Sequence, residues 1–254
     1  MSQRSVSKRI LAIRSGQPSW VDDQVVIEQA IDIIVGERKH ATLLCTPEHV
    51  DEMVIGYLWW QGLVDPRASR DALPAVRHEE ATSAANVMWP GARQPGDHPR
   101  SDLETTGTPA QAGDAPAPSP VFAWDSVLQA VNALETANRL FVETGGAHAC
   151  GAWRDDALLV IREDVSRHCA LDKVAGHLLM QDLDPASCLL VLTSRVSESI
   201  ADKVAVFGFR VIASRAAPTD KGIQVCEEHG ITLAGFCRGS RMNVYAYPER
   251  IVRS

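Results

Sequence analysis

The sequence predicts an α/β protein in two unequal parts. Three observations lead there. From Ala157 to Tyr247 short apolar runs alternate with amphipathic helical stretches, the pattern of a layered α/β domain. Ahead of it, residues 28–89 carry a strand–turn–strand–helix pattern that reads as a small α+β domain. Residues 90–120 differ from both in composition and separate them, leaving residues 121–254 for the larger domain.

Residues 1–27 lack clear periodicity and are expected to form an irregular arm. Ile31, Ile33 and Val35 then read as a strand, Gly36 to Lys39 as a turn, and Ala41 to Cys45 as a returning strand. Thr46 suits an N-cap and Pro47 the first helical position, where its missing N–H costs nothing. The helix is expected to reach about Trp60, with Val50, Met53, Val54, Tyr57 and Leu58 on one face, and to end at Gly62.

Seven of the 14 prolines fall within residues 90–120, with Leu103 as the only large aliphatic residue. Such a stretch cannot bury enough apolar surface to offset its ordering entropy and is expected to be a mobile linker or insertion.

Beyond it, Ser126-Val127-Leu128-Gln129 reads as a capping box, with Val127, Val131, Leu134 and Phe141 on one helical face. A buried strand is expected at Ala157 to Ile161 and a helix from about His168 to Met180. Then follow the strand Cys188 to Leu192, the helix Ser197 to Phe207 and the strand Arg210 to Ala213. The helix Asp220 to His229 and strands at Ile231 to Phe236 and Met242 to Tyr247 complete the order.

Composition narrows the functional classes. A net charge of −7 argues against a nonspecific nucleic-acid or anionic-membrane binder. No apolar run is long enough to cross a membrane, and Arg4, Lys8 and Arg9 are followed by no apolar stretch of a secretory leader. The six cysteines (Cys45, Cys150, Cys169, Cys188, Cys226 and Cys237) include no C-x-x-C pair, so reduced cytoplasmic thiols and no metal centre are expected.

Four segments could carry chemistry. Thr144-Gly145-Gly146-Ala147-His148 has two glycines that allow close backbone approach, and equally reads as a helix cap before a core histidine. Glu163 to Lys173 packs Asp164, Arg167, His168, Asp172 and Lys173 around a helix start, where free N–H groups favour an anion. Asp172, four residues after His168, is placed to fix its imidazole tautomer, although a capped helix with solvated ion pairs has the same pattern. Ser194 and Arg195 follow a strand, at the end where open parallel sheets collect ligands. Phe236-Cys237-Arg238-Gly239-Ser240-Arg241 sets two guanidinium groups around a glycine, suited to phosphate or simply to a basic turn.

In this order the segments resemble the FdhD/NarQ family of formate dehydrogenase accessory sulfurtransferases. The likeness spans roughly residues 24–250 and includes Ala170-Leu171-Asp172-Lys173, Ile231 to Arg238 and Val244-Tyr245. Cys45-Thr46-Pro47, Gly56-Tyr57-Leu58 and Gly62 fit the family's small domain. The resemblance implies a cytoplasmic homodimer with a three-layer α/β/α, cytidine-deaminase-like domain. It implies transfer of persulfide sulfur from a cysteine desulfurase to the molybdenum or tungsten bis-molybdopterin guanine dinucleotide cofactor of formate dehydrogenase or a related molybdoenzyme. It places the cofactor-binding stretch on Phe236 to Arg241, with GDP as a fragment mimic.

One departure stands out. The family's carrier cysteine lies in a C-G-x-C-G-like loop before the helix near Ser126, and this chain has no cysteine between residues 46 and 149. Ser166 and Cys169 also stand where the family usually has Gly and often has Asn. Cys150, Cys169 and Cys237 are the remaining thiols near the candidate site. Two readings follow: a cofactor-binding maturation protein, or a noncatalytic carrier or partner subunit of a cysteine-bearing paralogue. A zinc nucleoside deaminase is disfavoured, because His148-Ala149-Cys150 lacks the required Glu and no C-x-x-C exists.

Overall fold

The computed structural model describes residues 3–67, 69–89 and 120–253. The linker expected over residues 90–120 lies outside them, apart from Pro120. The expectation of an irregular arm over residues 1–27 is corrected. Strands β1 (Ser5–Arg14) and β2 (Gln17–Val26) form a ten-pair antiparallel hairpin. Ser15 (φ 50°) and Gly16 (φ 77°) are both left-handed, as a two-residue turn between twisted strands requires. The hairpin escaped the hydrophobic pattern because its distal half is exposed on both faces, with Leu11, Ile13 and Trp20 in solvent. Its base is fixed by an ion pair of 3.2 Å between Arg4 and Glu163.

Strands β3 (Gln29–Val35) and β4 (Arg38–Cys45) match the expected strand–turn–strand. With β5 (Ala75–Glu79) and β6 (Ala84–Met88) they make a four-stranded sheet in the order β4-β3-β6-β5. Ile31 and Ile33 point from it into the core beneath helix α1 (Val50–Trp60). That helix begins later than Thr46 and Pro47 suggested. His49 takes a left-handed φ of 53° before it, and Thr46 is used elsewhere: its N–H donates to Asp164 at 3.2 Å and its Oγ1 accepts from the Val165 N–H.

The C-terminal part opens with β7 (Phe122–Ala123), α2 (Trp124–Ala137) and α3 (Arg139–Thr144). Ser126 does not cap α2 but lies within it, donating to Asp156 at 2.8 Å and accepting from the Trp153 indole at 3.1 Å. Val127, Val131 and Leu134 are buried as expected, whereas Phe141 belongs to α3 and is exposed. There follow β8 (His148–Arg154), β9 (Ala157–Asp164), α4 (Arg167–Met180), β10 (Leu189–Leu192) and α5 (Glu198–Phe207). Then come β11 (Val211–Ser214), α6 (Asp220–Glu228), β12 (Thr232–Arg238), β13 (Arg241–Ala246) and β14 (Ile251–Val252).

Six of these strands form a mixed sheet, β13-β12-β11-β10-β8-β9. Strands β10, β11 and β12 are parallel, while β8 runs antiparallel to both of its neighbours. Alternate residues feed two cores. Leu189, Val191, Val211 and Ala213 pack with α2 on one face; Leu190, Leu192 and Ile212 pack with α4 and α5 on the other. Helices therefore cover both faces. Strand β8, which periodicity missed, is interior to the sheet and rich in small residues, so it shows no alternation.

Helices α1 and α4 cross at two glycines. A Cβ on Gly56 would lie 2.0 Å from the Asp172 carbonyl oxygen, and one on Gly176 would lie 1.9 Å from that of Glu52. Beside the crossing, Glu52 accepts from Arg162 at 2.6 Å and meets His177 Nδ1 at 2.9 Å. Burial raises the Glu52 pKa, but the hydrogen bonds from Arg162 and His177 outweigh it and bring it to about 2. A carboxyl depressed in the folded state stabilises above its unfolded pKa, and that stability is lost as pH falls from about 4.5 toward about 2. Glu52→Gln is expected to cost on the order of 2 kcal/mol at pH 7. Its gap to the wild type should close across that acid window in urea denaturation. A gap independent of pH would show that the charge of Glu52 is not what stabilises.

Candidate functional site

The carboxyl ends of β10, β11 and β12 share one edge of the sheet with the start of β8 and the end of β9. In open α/β sheets this is where ligands bind. His148 pairs with Asp164 in register there, and only Val165 and Ser166 separate the end of β9 from the start of α4.

Two buried charge pairs hold this edge. Lys173 Nζ donates to Asp164 at 2.5 Å and to the Thr46 carbonyl at 2.9 Å, with both charged side chains fully buried. One Asp164 oxygen also accepts from the Ser166 N–H at 2.8 Å, fixing the turn into α4. Asp172 receives Lys203 Nζ on both oxygens at 2.6 Å, tying α4 to α5. The expected contact of Asp172 with His168 is thereby corrected: both of its carboxylate oxygens accept from Lys203 instead. Asp164, Asp172 and Lys173 thus act by placing backbone, with their charges turned inward.

What these pairs leave at the surface is the first turn of α4. Arg167 and His168 are half-buried, and Arg167 Nε is buried without a hydrogen-bond partner. Burial, then the charges of Lys203, Arg167 and neighbouring His148, push His168 down to about 4. Burial and then Arg167 lower His148 as well. Both imidazoles are therefore neutral near pH 7, and Arg167 carries the positive charge of this corner.

The glycine segment is a helix cap. Gly145 (φ 68°) ends α3, and Thr144 Oγ1 accepts from the Gly146 N–H at 3.2 Å while donating to Leu140 at 2.7 Å. Gly146 is required by the hairpin, since a Cβ there would lie 2.7 Å from Val26 Cγ1. Ser194 is buried, and its carbonyl accepts from Ser214 Oγ at 2.7 Å, whereas Arg195 is exposed.

Phe236 to Arg241 turns β12 into β13. Gly239 takes a φ of 57°, and Arg238, Gly239, Ser240 and Arg241 are exposed. Arg238 Nε donates to the Arg215 carbonyl at 3.2 Å, and the Arg241 guanidinium lies 5.7 Å from the centre of the Phe236 ring. The edge so joins Arg167, Arg195, Arg238 and Arg241, all with donors to spare for an anion.

The three thiols that the sequence offered as substitute carriers are unsuited to nucleophilic work. Cys150, Cys169 and Cys237 are buried. Burial raises Cys237 to about 11. Burial and then the carboxylates of Asp164 and Asp172 raise Cys169 to about 12, and burial with Asp172 raises Cys150 as well. A carrier needs an accessible thiolate, and none of the three is one near neutral pH.

Comparison with known proteins settles the lineage. The model of the FdhD/NarQ family matches residues 26–252. The chain belongs to the FdhD/NarQ family. Relatives named sulfur carrier protein FdhD include those of Shouchella clausii, 34% identical over 96% of both chains, and Bacillus subtilis, 30% identical over 93% of both. In fold it is similar to a putative formate dehydrogenase accessory protein from Desulfotalea psychrophila. The TM-score is 0.81 at 24% identity, covering 98% of this chain and 100% of that one.

In this FdhD/NarQ member the edge also holds groups beyond the candidate binding residues. Thr193 Oγ1 accepts from the Ala149 N–H at 2.9 Å and locks β10 to β8. Ser214 Oγ bridges the Ser194 carbonyl and the Ala216 N–H. Arg215 forms an ion pair with Glu135 of α2. Ser214 and Arg215 were not singled out in the sequence, although they follow a parallel strand as Ser194 and Arg195 do, and the same rule of ligands at carboxyl strand ends is the signal that finds them.

Proposed function

We propose that this chain assists formate dehydrogenase maturation by binding its molybdenum or tungsten bis-molybdopterin guanine dinucleotide cofactor at this edge, without itself carrying sulfur. Arg167 carries the reading. A buried guanidinium N–H with no acceptor is costly, and a phosphate oxygen at the start of α4 would satisfy it. Arg195, Arg238 and Arg241 extend the positive surface toward a second phosphate, and the exposed Gly239 turn allows close approach. The residue types fit a guanine dinucleotide. The cofactor, once bound, supplies the metal and its sulfur chemistry; this chain supplies charge and hydrogen bonds. The mixed sheet with helices on both faces supports deaminase-like layering. The six free thiols support a cytoplasmic setting. Homodimerisation is part of the same reading, carried over from the resemblance.

A second reading is favoured by the sequence: with no cysteine between residues 46 and 149, the chain would serve as partner subunit to a cysteine-bearing paralogue. The cysteine desulfurase would then meet the paralogue.

Calorimetry with GDP as cofactor fragment, alongside mass analysis after incubation with desulfurase, cysteine and pyridoxal phosphate, tests the proposal. GDP is expected to bind, and Arg167→Ala to weaken it about tenfold or more, the loss of a charged hydrogen bond. No persulfide should form. Equal GDP affinity in Arg167→Ala removes that residue from the site. A high-occupancy persulfide on Cys150, Cys169 or Cys237, abolished by its replacement with Ala, overturns the sulfur half of the proposal.

A further inference from the structure

Arg215 lies just past β11, the middle of the three parallel strands. Its backbone is pinned on both sides. Its N–H donates to the Leu192 carbonyl at 3.0 Å, and its own carbonyl accepts from Arg238 Nε at 3.2 Å. Ser214 before it and Ala216 after it are held through the Ser214 hydroxyl. The side chain is different. It is 45% exposed, and its ion-pair partner is Glu135, itself 31% exposed. A rigid stem thus carries a guanidinium whose present partner is weakly held, since exposed ion pairs contribute little.

The local charge count is uneven. Arg215 and Arg238 adjoin on neighbouring strands, linked through one carbonyl, and Glu135 pairs with one of them. A diphosphate would match two adjacent guanidinium groups better than one carboxylate does, through bidentate contacts. Resting on the cofactor reading above, we infer that Arg215 is a further contact for the diphosphate of the guanine nucleotide. Glu135 holds its guanidinium at the sheet edge until phosphate takes its place. No bond is made or broken in this exchange. The carboxylate is released to water as the phosphate arrives.

Titration calorimetry with GDP, with pyrophosphate and guanosine as separate probes, tests it on the full chain. Arg215→Ala is expected to weaken GDP and pyrophosphate about tenfold and leave guanosine unaffected. Glu135→Gln, which keeps shape and removes the competing charge, should tighten GDP about three- to tenfold. In the double variant that gain should vanish, because Glu135 acts only through Arg215. Thermal midpoints of all three should stay near the wild type, so that a folding defect is separable. GDP binding indifferent to Arg215→Ala overturns this inference alone. An unchanged or weaker Glu135→Gln overturns the exchange with Glu135. A wild-type chain that binds neither GDP nor pyrophosphate overturns the cofactor reading and this inference together.

Discussion

Lys173→Met is expected to remove about 3–5 kcal/mol of folding stability, the usual cost of breaking a buried ion pair from one side. Lys173 Nζ lies within 2.5 Å of Asp164 and 2.9 Å of the Thr46 carbonyl, with no exposure at either charged group. Methionine fills much of the volume but leaves the Asp164 carboxylate facing an apolar stem. The damage should spread to function, because Asp164 fixes Thr46, Ser166 and hence the first turn of α4 where Arg167 stands. Adding Asp164→Asn, which removes the second charge and keeps an acceptor, should recover part of the loss. Urea denaturation of the single and double variants measures both. A single variant as stable as the wild type would show that the pair does not hold this junction.

Gly176→Ala is expected to destabilise by about 3 kcal/mol, lowering the thermal midpoint by roughly 6–12 °C. The sign is informative. In an exposed helix, alanine is better than glycine by about 1 kcal/mol. Here the added methyl would lie 1.9 Å from the Glu52 carbonyl oxygen, a backbone atom of a packed helix that cannot move alone. Overpacking therefore outweighs propensity, and α1 must separate from α4. Gly56→Ala, facing Asp172 at 2.0 Å, should behave likewise. A midpoint at or above the wild type for either variant would mean that the helices part without cost.

The two effects have a common source. Helix α4 contributes consecutive buried residues of opposite charge, Asp172 to Lys203 on α5 and Lys173 to Asp164 on β9, and Gly176 one turn later. One helix therefore fixes both the approach of the small N-terminal sheet and the position of the candidate site.

The alternation of short strands and helices from β9 to β12 was legible in the sequence, because these strands are built on short apolar runs closed by polar turns. So were the strand–turn–strand before Cys45 and the edge that collects Ser194, Arg195 and Arg238, since chain order and the parallel-strand rule suffice for them. The lack of a thiol between residues 46 and 149 is likewise a property of the sequence alone. Hairpin β1–β2 and strand β8 were not legible: the first is largely exposed over its distal half and the second buried on both faces, so neither has the one-sided burial that produces alternation. Tertiary structure alone decided the partners of charge. Spacing set Asp172 opposite His168, but Lys203, 31 residues away, takes both of its oxygens. Burial is what separates the outcomes: a charge removed from water must find its partner wherever the fold brings one, and local spacing along a helix carries no record of it.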